Sequence, residues 1–392
     1  IYFTMSDGKL RGLSLGAGEE RLMPMPFVAP FSRNWSLNLV RGVVYTAAGR
    51  GCGGDAAQPI EPGSVSAMNV SDPQHPQLSR FYTGRGRPAG PWGRGGPVAG
   101  PNGVYIQTAD GNHDPAAGIY GNAVIAVAPK AYGIADSFTP PSWKNLNAKD
   151  LDLGSGGPVI FPFKDRTLLA TSSKEGVVYI LDAKNLGGGV ATDHSKALYT
   201  SPRLGNDEEL YYGRGVWGEI STSQTAQGER YLYVPMWGPP GEDGFQFPRS
   251  YGPAPHGSIM ALQVTDNEGG VSLTPKWVSR DLQVPDNIAV ANGVVFAVQT
   301  GEQIAQHSTN PEGHGQPRNG EAPETIASLA KFRSTPLANM VLYAFDAQTG
   351  KELYSSGKLL TGWVHFNQPT VALGKVFLVS HDAHVYAFGL KR

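Results

Sequence analysis

A single cysteine, Cys52, is present in 392 residues. No intramolecular disulfide can form, and the compartment cannot be read from cysteine usage. Charge of either sign is not in excess: 32 Lys and Arg face 33 Asp and Glu, a net of −1. Nothing in that balance calls for nucleic acid or an anionic membrane as a partner. No apolar run is long enough to span a bilayer. No window sustains a helical period, and the best helical candidate, Glu324–Phe332, lies inside a loop insertion. What the chain does have is turn chemistry. Its 51 Gly and 31 Pro exceed average usage and suit an all-β, turn-dense protein.

The pattern is clearest at 341–353, VLYAFDAQTGKEL. Val341–Phe345 alternates and is rich in β-branched and aromatic residues, so it reads as a strand. Asp346 to Gly350 supplies the turn, Asp346 by bonding its own backbone and Gly350 by accepting φ > 0. Lys351–Tyr354 resumes as the next strand. Upstream, Asn292-Gly293 is a two-residue hairpin signal leading into Val294–Val298. The unit is strand, turn, strand, turn, strand, and it repeats. The small or central residue of the marker strand recurs as Gly12, Ala67, Ala126, Ile180, Ala261, Ala344 and Ala387, with a second apolar strand before most of them. Seven repeats of short antiparallel strands, with insertions confined to loops, predict a β-propeller of four-stranded blades. A propeller divides its core among radial blades, so residues 1–392 form one expected domain.

The stretches YAFDAQTGKELY and GKVFLVSHDAHVYAF resemble the PQQ-like β-propeller repeat, and the resemblance covers essentially the whole chain. That family includes quinoprotein dehydrogenases and non-catalytic envelope proteins such as the outer-membrane assembly lipoprotein. It implies an exported, periplasmic or secreted protein. Ile1–Met5 matches the second strand of a blade and the last blade stops at its third. An upstream segment is therefore expected to close the ring or to add an eighth blade.

Several loops invite a chemical reading beside a bland one. Residues 49–62 carry Cys52 among glycines, either a glycine-rich loop or a reactive thiol; no βαβ unit follows, which excludes a dinucleotide fingerprint. Asp110 to Asp114 has D-x-N-x-D spacing but lacks the later Gly and Glu of a calcium loop, so a polar hairpin is the alternative. Asp150 and Asp152 stand at i and i+2 and share a face if extended. They are a base or cation site, or two solvated acids. The proline-stiffened loop from Val234 to His256 is a lid over a channel mouth or a cap on blade edges. His307 and His314, in the insertion 300–339, lack the companions of a metal site.

Residues just before each inner strand of a propeller crowd one rim. Here these are Asn34 and Trp35, Trp92 and Arg94, Asp152 and Ser155, Trp217 and Glu219, Asp286 and Asn287, and His365 with Asn367. This funnel is the default ligand site. The quinoprotein resemblance implies PQQ with Ca²⁺ there, oxidising a small alcohol or polyol and passing electrons to an external acceptor. By blade position, Trp217 or Trp92 would be the aromatic floor, with Arg94 and Asn34 beside the cofactor. Glu219 and Asn287 would hold Ca²⁺, and Asp152 would take the alcohol proton. The chain departs from the best-known alcohol dehydrogenases of that family: Cys52 alone cannot make their adjacent cysteine pair, and no C-x-x-C-H haem site is present. The rival expectation is a non-catalytic scaffold whose loops 241–257 and 301–338 bind protein partners in the envelope or outside the cell. A third is a glycan-binding or glycan-cleaving propeller.

Overall fold

A computed structural model describes residues 1–49, 62–84, 89–149, 151–187, 194–205, 215–267, 270–302, 336 and 338–390. Cys52, Asp150, His307, His314 and the helical candidate 324–332 lie outside these residues. Among the described residues, seven antiparallel sheets in sequence form the blades of a β-propeller, and an eighth is a two-stranded hairpin within the third. The second is typical. Its inner position is split into Arg33–Asn34 and Asn38–Val40, followed by Val43–Gly49, Ser64–Asn69 and Gln77–Tyr82. The first and seventh have three strands each among the described residues, Tyr2–Thr4 to Glu20–Pro26 and Thr370–Ala372 to Val385–Gly389. One short helix, Trp143–Lys149, precedes the fourth blade. It had no counterpart in the sequence reading, because seven residues behind two prolines show no period. No helix among the described residues is long and apolar enough to cross a membrane.

The chain divides into two compact units. Unit one comprises 1–147, 152–169 and 181–197; unit two comprises 148–151, 170–180 and 198–392. In unit one the strand Val43–Gly49 is buried throughout. Val43, Tyr45 and Ala47 pack with Val104, Ile106 and Ile125. Val44 and Ala48 pack with Leu10, Leu22 and Phe27. Period-two alternation thus feeds two cores, and a strand buried on both faces reads as a continuous apolar run. Unit two repeats the device. Val295 and Ala297 join Tyr233, Trp277 and Phe345, while Val298 joins Leu342, Leu360 and Leu378.

The sequence markers have a structural meaning. Gly12, Ala67, Ala126, Ala261, Ala344 and Ala387 stand directly opposite Tyr2, Tyr45, Tyr105, Tyr233, Phe296 and Phe377. A small residue across from an aromatic keeps the sheet face level where the next layer packs on it. At Gly12 the fit is tight: a Cβ there would sit 3.0 Å from the Tyr2 ring. At Ala126, Ala261 and Ala344 the register to the outer strand also shifts, a bulge that twists the blade edge.

Turn chemistry accounts for the tight ends. Asn292 and Gly293 have φ of 50° and 74°, the type I′ combination expected of that pair. Arg41-Gly42 and Leu373-Gly374 form the same turn. Asp346 accepts from the backbone N–H of Gln348 and Thr349 and from the Thr349 hydroxyl, and Gly350 has φ of 76°. Four long insertions, 50–63, 109–123, 238–256 and 300–340, join the second strand of a blade to its third.

Candidate functional site

The residues expected at the rim fall in both units, and each unit holds its own cluster. In unit one, Asn34 and Trp92 sit on short segments that pair with the far ends of the second strands, Asn34 with Ala48 and Trp92 with Gln107. Asn34 donates to the Thr4 hydroxyl at 2.8 Å. Trp35 stacks on Trp92 with ring centres 6.0 Å apart, and its indole N–H reaches the Pro91 carbonyl. Arg94 is buried, and its carbonyl accepts from Ser36. Trp92 and Arg94 are thereby held beside the segment that follows Asn34.

Asp152 belongs to a second knot in the same unit. It is 4 % exposed, and one carboxylate oxygen accepts the Asp110 backbone N–H at 3.0 Å. The turn it opens is gripped from both sides. Leu153 donates its N–H to the Asn122 carboxamide, and its carbonyl accepts from Gln107. Gly154 is needed for this approach, since a Cβ would stand 2.8 Å from that of Trp92. The D-x-N-x-D segment is a polar hairpin, with His113–Asp114 paired to Ile119–Tyr120. Asp110 accepts from Asn122 there, and Asp114 caps a short 3₁₀ turn. His113 lies against Trp143 and bonds the Thr139 hydroxyl. Burial holds its pKa below the ordinary 6.5, only partly opposed by a backbone hydrogen bond at Gly121, and nearby His194 lowers it further.

Unit two gathers Trp217, Glu219, Asp286, Asn287, His365 and Asn367. Asn287 is buried, and its carboxamide oxygen accepts the Glu219 N–H at 2.8 Å. Asp286 is fully buried and accepts the N–H groups of Asn287 at 2.9 Å and Asn367 at 3.2 Å. His365 Nδ1 bonds the carboxylate of Glu302, a residue 4 % exposed. Trp217 is 3 % exposed. Its ring lies parallel to Trp237 at 4.6 Å and 5°, and the Lys174 ammonium sits 4.3 Å from its centre. Backbone contact fixes that lysine's turn: Val216 donates to the Ser173 carbonyl, and a Cβ on Gly215 would fall 1.8 Å from the Lys174 carbonyl oxygen.

Three contributors escaped the sequence reading: Lys174 in the connection 173–177, Glu302 at the start of the longest insertion, and Trp237 as a stacking partner. The signal for Lys174 was available. Connections between second and third strands lie at the same end of a blade as the residues preceding its inner strand. The loop 238–256, read as lid or cap, caps a blade edge. Ser250 bridges Val278 of the outer strand, and His256 bonds Asp281 through both its backbone N–H and its ring.

No family model matches this chain, and no curated protein does. Solved structures do. The quinohemoprotein alcohol dehydrogenase ADHIIG from Pseudomonas putida HK5 matches with a TM-score of 0.52 at 13% identity, over 96% of this chain and 60% of its own. A europium-containing methanol dehydrogenase matches with a TM-score of 0.57 at 13% identity, over 98% and 70%. BamB from Moraxella catarrhalis matches with a TM-score of 0.52 at 9% identity, over 100% and 85%. The fold is that of a PQQ-like β-propeller. The propeller spans 60% of the length of the Pseudomonas putida enzyme. At these identities the likeness speaks to architecture alone, and the fold is shared by dehydrogenases and by BamB.

Two of the positions expected to hold a planar quinone and its Ca²⁺ already have partners within the chain. A ring seated on Trp217 would have to displace Lys174 from it. Asn287 already serves the Glu219 backbone, and among the described residues no group of three or more His, Cys, Asp or Glu could hold a metal ion.

Proposed function

We propose that this propeller is a non-catalytic scaffold of the cell envelope or extracellular space that binds a protein partner. The observation that supports it is the use made of the polar rim. The carboxylates of Asp152 and Asp286 and the carboxamide of Asn287 are buried and hold neighbouring backbone, and Trp217 is covered by the chain's own lysine. Such groups stabilise loops rather than await a ligand, because a buried polar group is costly unless partnered.

The quinoprotein reading keeps one observation in its favour. A buried carboxylate on His365 Nδ1 is the arrangement that orients an imidazole as a base, and the His365 side chain is 28 % exposed. On that reading a small alcohol or polyol is oxidised at the rim. Asp152 takes the proton, Trp92, Arg94, Trp217 and Asn34 contact PQQ, Glu219 and Asn287 bind Ca²⁺, and an external protein receives the electrons. One experiment separates the two: titration with PQQ and Ca²⁺, following tryptophan quenching and dye-linked alcohol oxidation. The scaffold predicts neither saturable quenching at micromolar cofactor nor turnover. Saturable quenching with turnover that Asp152→Ala abolishes would overturn it.

A further inference from the structure

Three Asn-Gly pairs occur in the chain: Asn102-Gly103, Asn292-Gly293 and Asn319-Gly320, the last outside the described residues. Such a pair is open to one reaction in particular, closure of the asparagine side chain onto the next backbone nitrogen, because glycine puts no Cβ in the way. We propose that Asn292 is a site of this spontaneous modification, passing through a succinimide to aspartyl and isoaspartyl forms. The isoaspartyl form unpins the hairpin of the sixth blade.

The hairpin joins Ala289–Ala291 to Val294–Gln299, at the end of the blade away from Asp286 and Asn287. Asn292 and Gly293 are both exposed. Ladder pairing stops at Ala291 and Val294, so the Gly293 nitrogen stands outside it. Among the described residues the Asn292 carboxamide has no hydrogen-bond partner. Nothing lies within 4 Å of where a Gly293 Cβ would sit, which leaves the turn room to rearrange. Asn102 is the opposite case. Its carboxamide donates to the Lys184 carbonyl at 3.1 Å and its N–H to the Tyr105 hydroxyl at 3.2 Å. A Cβ on Gly103 would fall 2.1 Å from the Val127 carbonyl oxygen. Arg41-Gly42 and Leu373-Gly374 make the same turn as Asn292-Gly293 but lack the reactive side chain.

The reaction balances with water as its only co-reactant. The Gly293 nitrogen gives its proton to solvent and bonds to Asn292 Cγ. The Cγ–Nδ2 bond breaks, and the nitrogen leaves as ammonia after taking up a proton. Water then opens the five-membered ring. Cleavage at Cγ restores the ordinary peptide, with aspartate at 292. Cleavage at the main-chain carbonyl instead routes the chain through Cγ. Aspartate keeps the turn, since Asp-Gly adopts type I′ as Asn-Gly does. The isoaspartyl linkage adds a backbone atom to a turn whose length sets the register of its strands. It also displaces the Gly293 carbonyl, which accepts the Ala347 N–H at 2.9 Å and ties the hairpin to the Asp346 turn.

The test ages the full chain at mildly alkaline pH and samples it over days. Electron-transfer fragmentation of its peptides locates each product and separates isoaspartyl from aspartyl. Asn292 should convert at least about tenfold faster than Asn102, a barrier difference of about 1.4 kcal/mol, with isoaspartate among the products. Asn292→Gly keeps access to φ > 0 and should fold alike without conversion at 292. Amide hydrogen exchange at Ala347 should quicken in the aged parent and not in aged Asn292→Gly. Conversion at Asn102 as fast as at Asn292, or conversion of Asn292 only after unfolding in urea, would overturn the site. Unchanged exchange at Ala347 in material rich in isoaspartate would overturn the unpinning.

Discussion

Lys174 offers the most direct check on the rim. Its side chain is 5 % exposed and its ammonium lies over a ring that is itself buried. Replacing it with alanine removes three methylenes, about 2 kcal/mol of packing at roughly 0.8 kcal/mol each, and a desolvated cation–π contact of about 2 kcal/mol. Against this stands relief of the cost of burying an ammonium, which is several kcal/mol before its partners are counted. Methionine separates the two effects, because it keeps most of the stem and discards the charge. Lys174→Met should therefore stay within about 1.5 kcal/mol of the parent, the usual range for volume-conserving changes. Lys174→Ala should fall about 2 kcal/mol below the methionine variant, the difference being packing alone. Urea unfolding followed in the near-ultraviolet measures both. If alanine and methionine are equally stable, the stem is not packed on Trp217, and the covered-ring argument against a quinone there is lost.

Other consequences follow from the same contacts. Asp286→Ala strips the acceptor from one buried and one part-buried N–H group and should cost about 1–3 kcal/mol in urea unfolding, whereas Asp286→Asn keeps one acceptor oxygen and should cost less. Gly350→Ala meets both a φ of 76° and the Trp277 ring, 2.5 Å from the new Cβ, and should lose at least about 2 kcal/mol. Gly374→Ala, with φ of 70° and nothing within 4 Å, should lose only about 1 kcal/mol, and thermal midpoints of the two rank them. His113, held below 6.5 by burial and faced by His194, Asp114 and Thr139, protonates more readily in the unfolded chain. Stability should therefore fall as pH drops through about 6.5, and His113→Gln should flatten that limb of a plot of unfolding midpoint against pH.

The blades were legible in the sequence because each strand obeys local rules that agree with the fold. The hairpin at Asn292-Gly293, the Asp346 turn and the small-residue markers all stand where expected. The reason for the markers was not legible, since the aromatic each one faces lies on another strand and only the register reveals it. The contacts of the expected rim residues were not legible. Repeat alignment placed acids, amides and tryptophans just before the inner strands. It could not show that Asp286 would face two backbone N–H groups, or that a lysine from another connection would lie over Trp217. Such contacts are long-range in sequence and have no periodic signature. The helix Trp143–Lys149 escaped for the opposite reason, being too short for any pattern to form.

The placement of four long insertions in the link between a blade's second and third strands sets the terms on which this chain can change length. Two-residue turns such as Arg41-Gly42 and Asn292-Gly293 fix the register of the strands they join, so a residue gained there would turn a buried face outward. A residue gained at 238–256 or 300–340 shifts no pairing inside the sheet. New sequence can therefore accumulate at one end of a blade while its core stays fixed. A fluorescent or affinity module grafted there should leave the strands as they are.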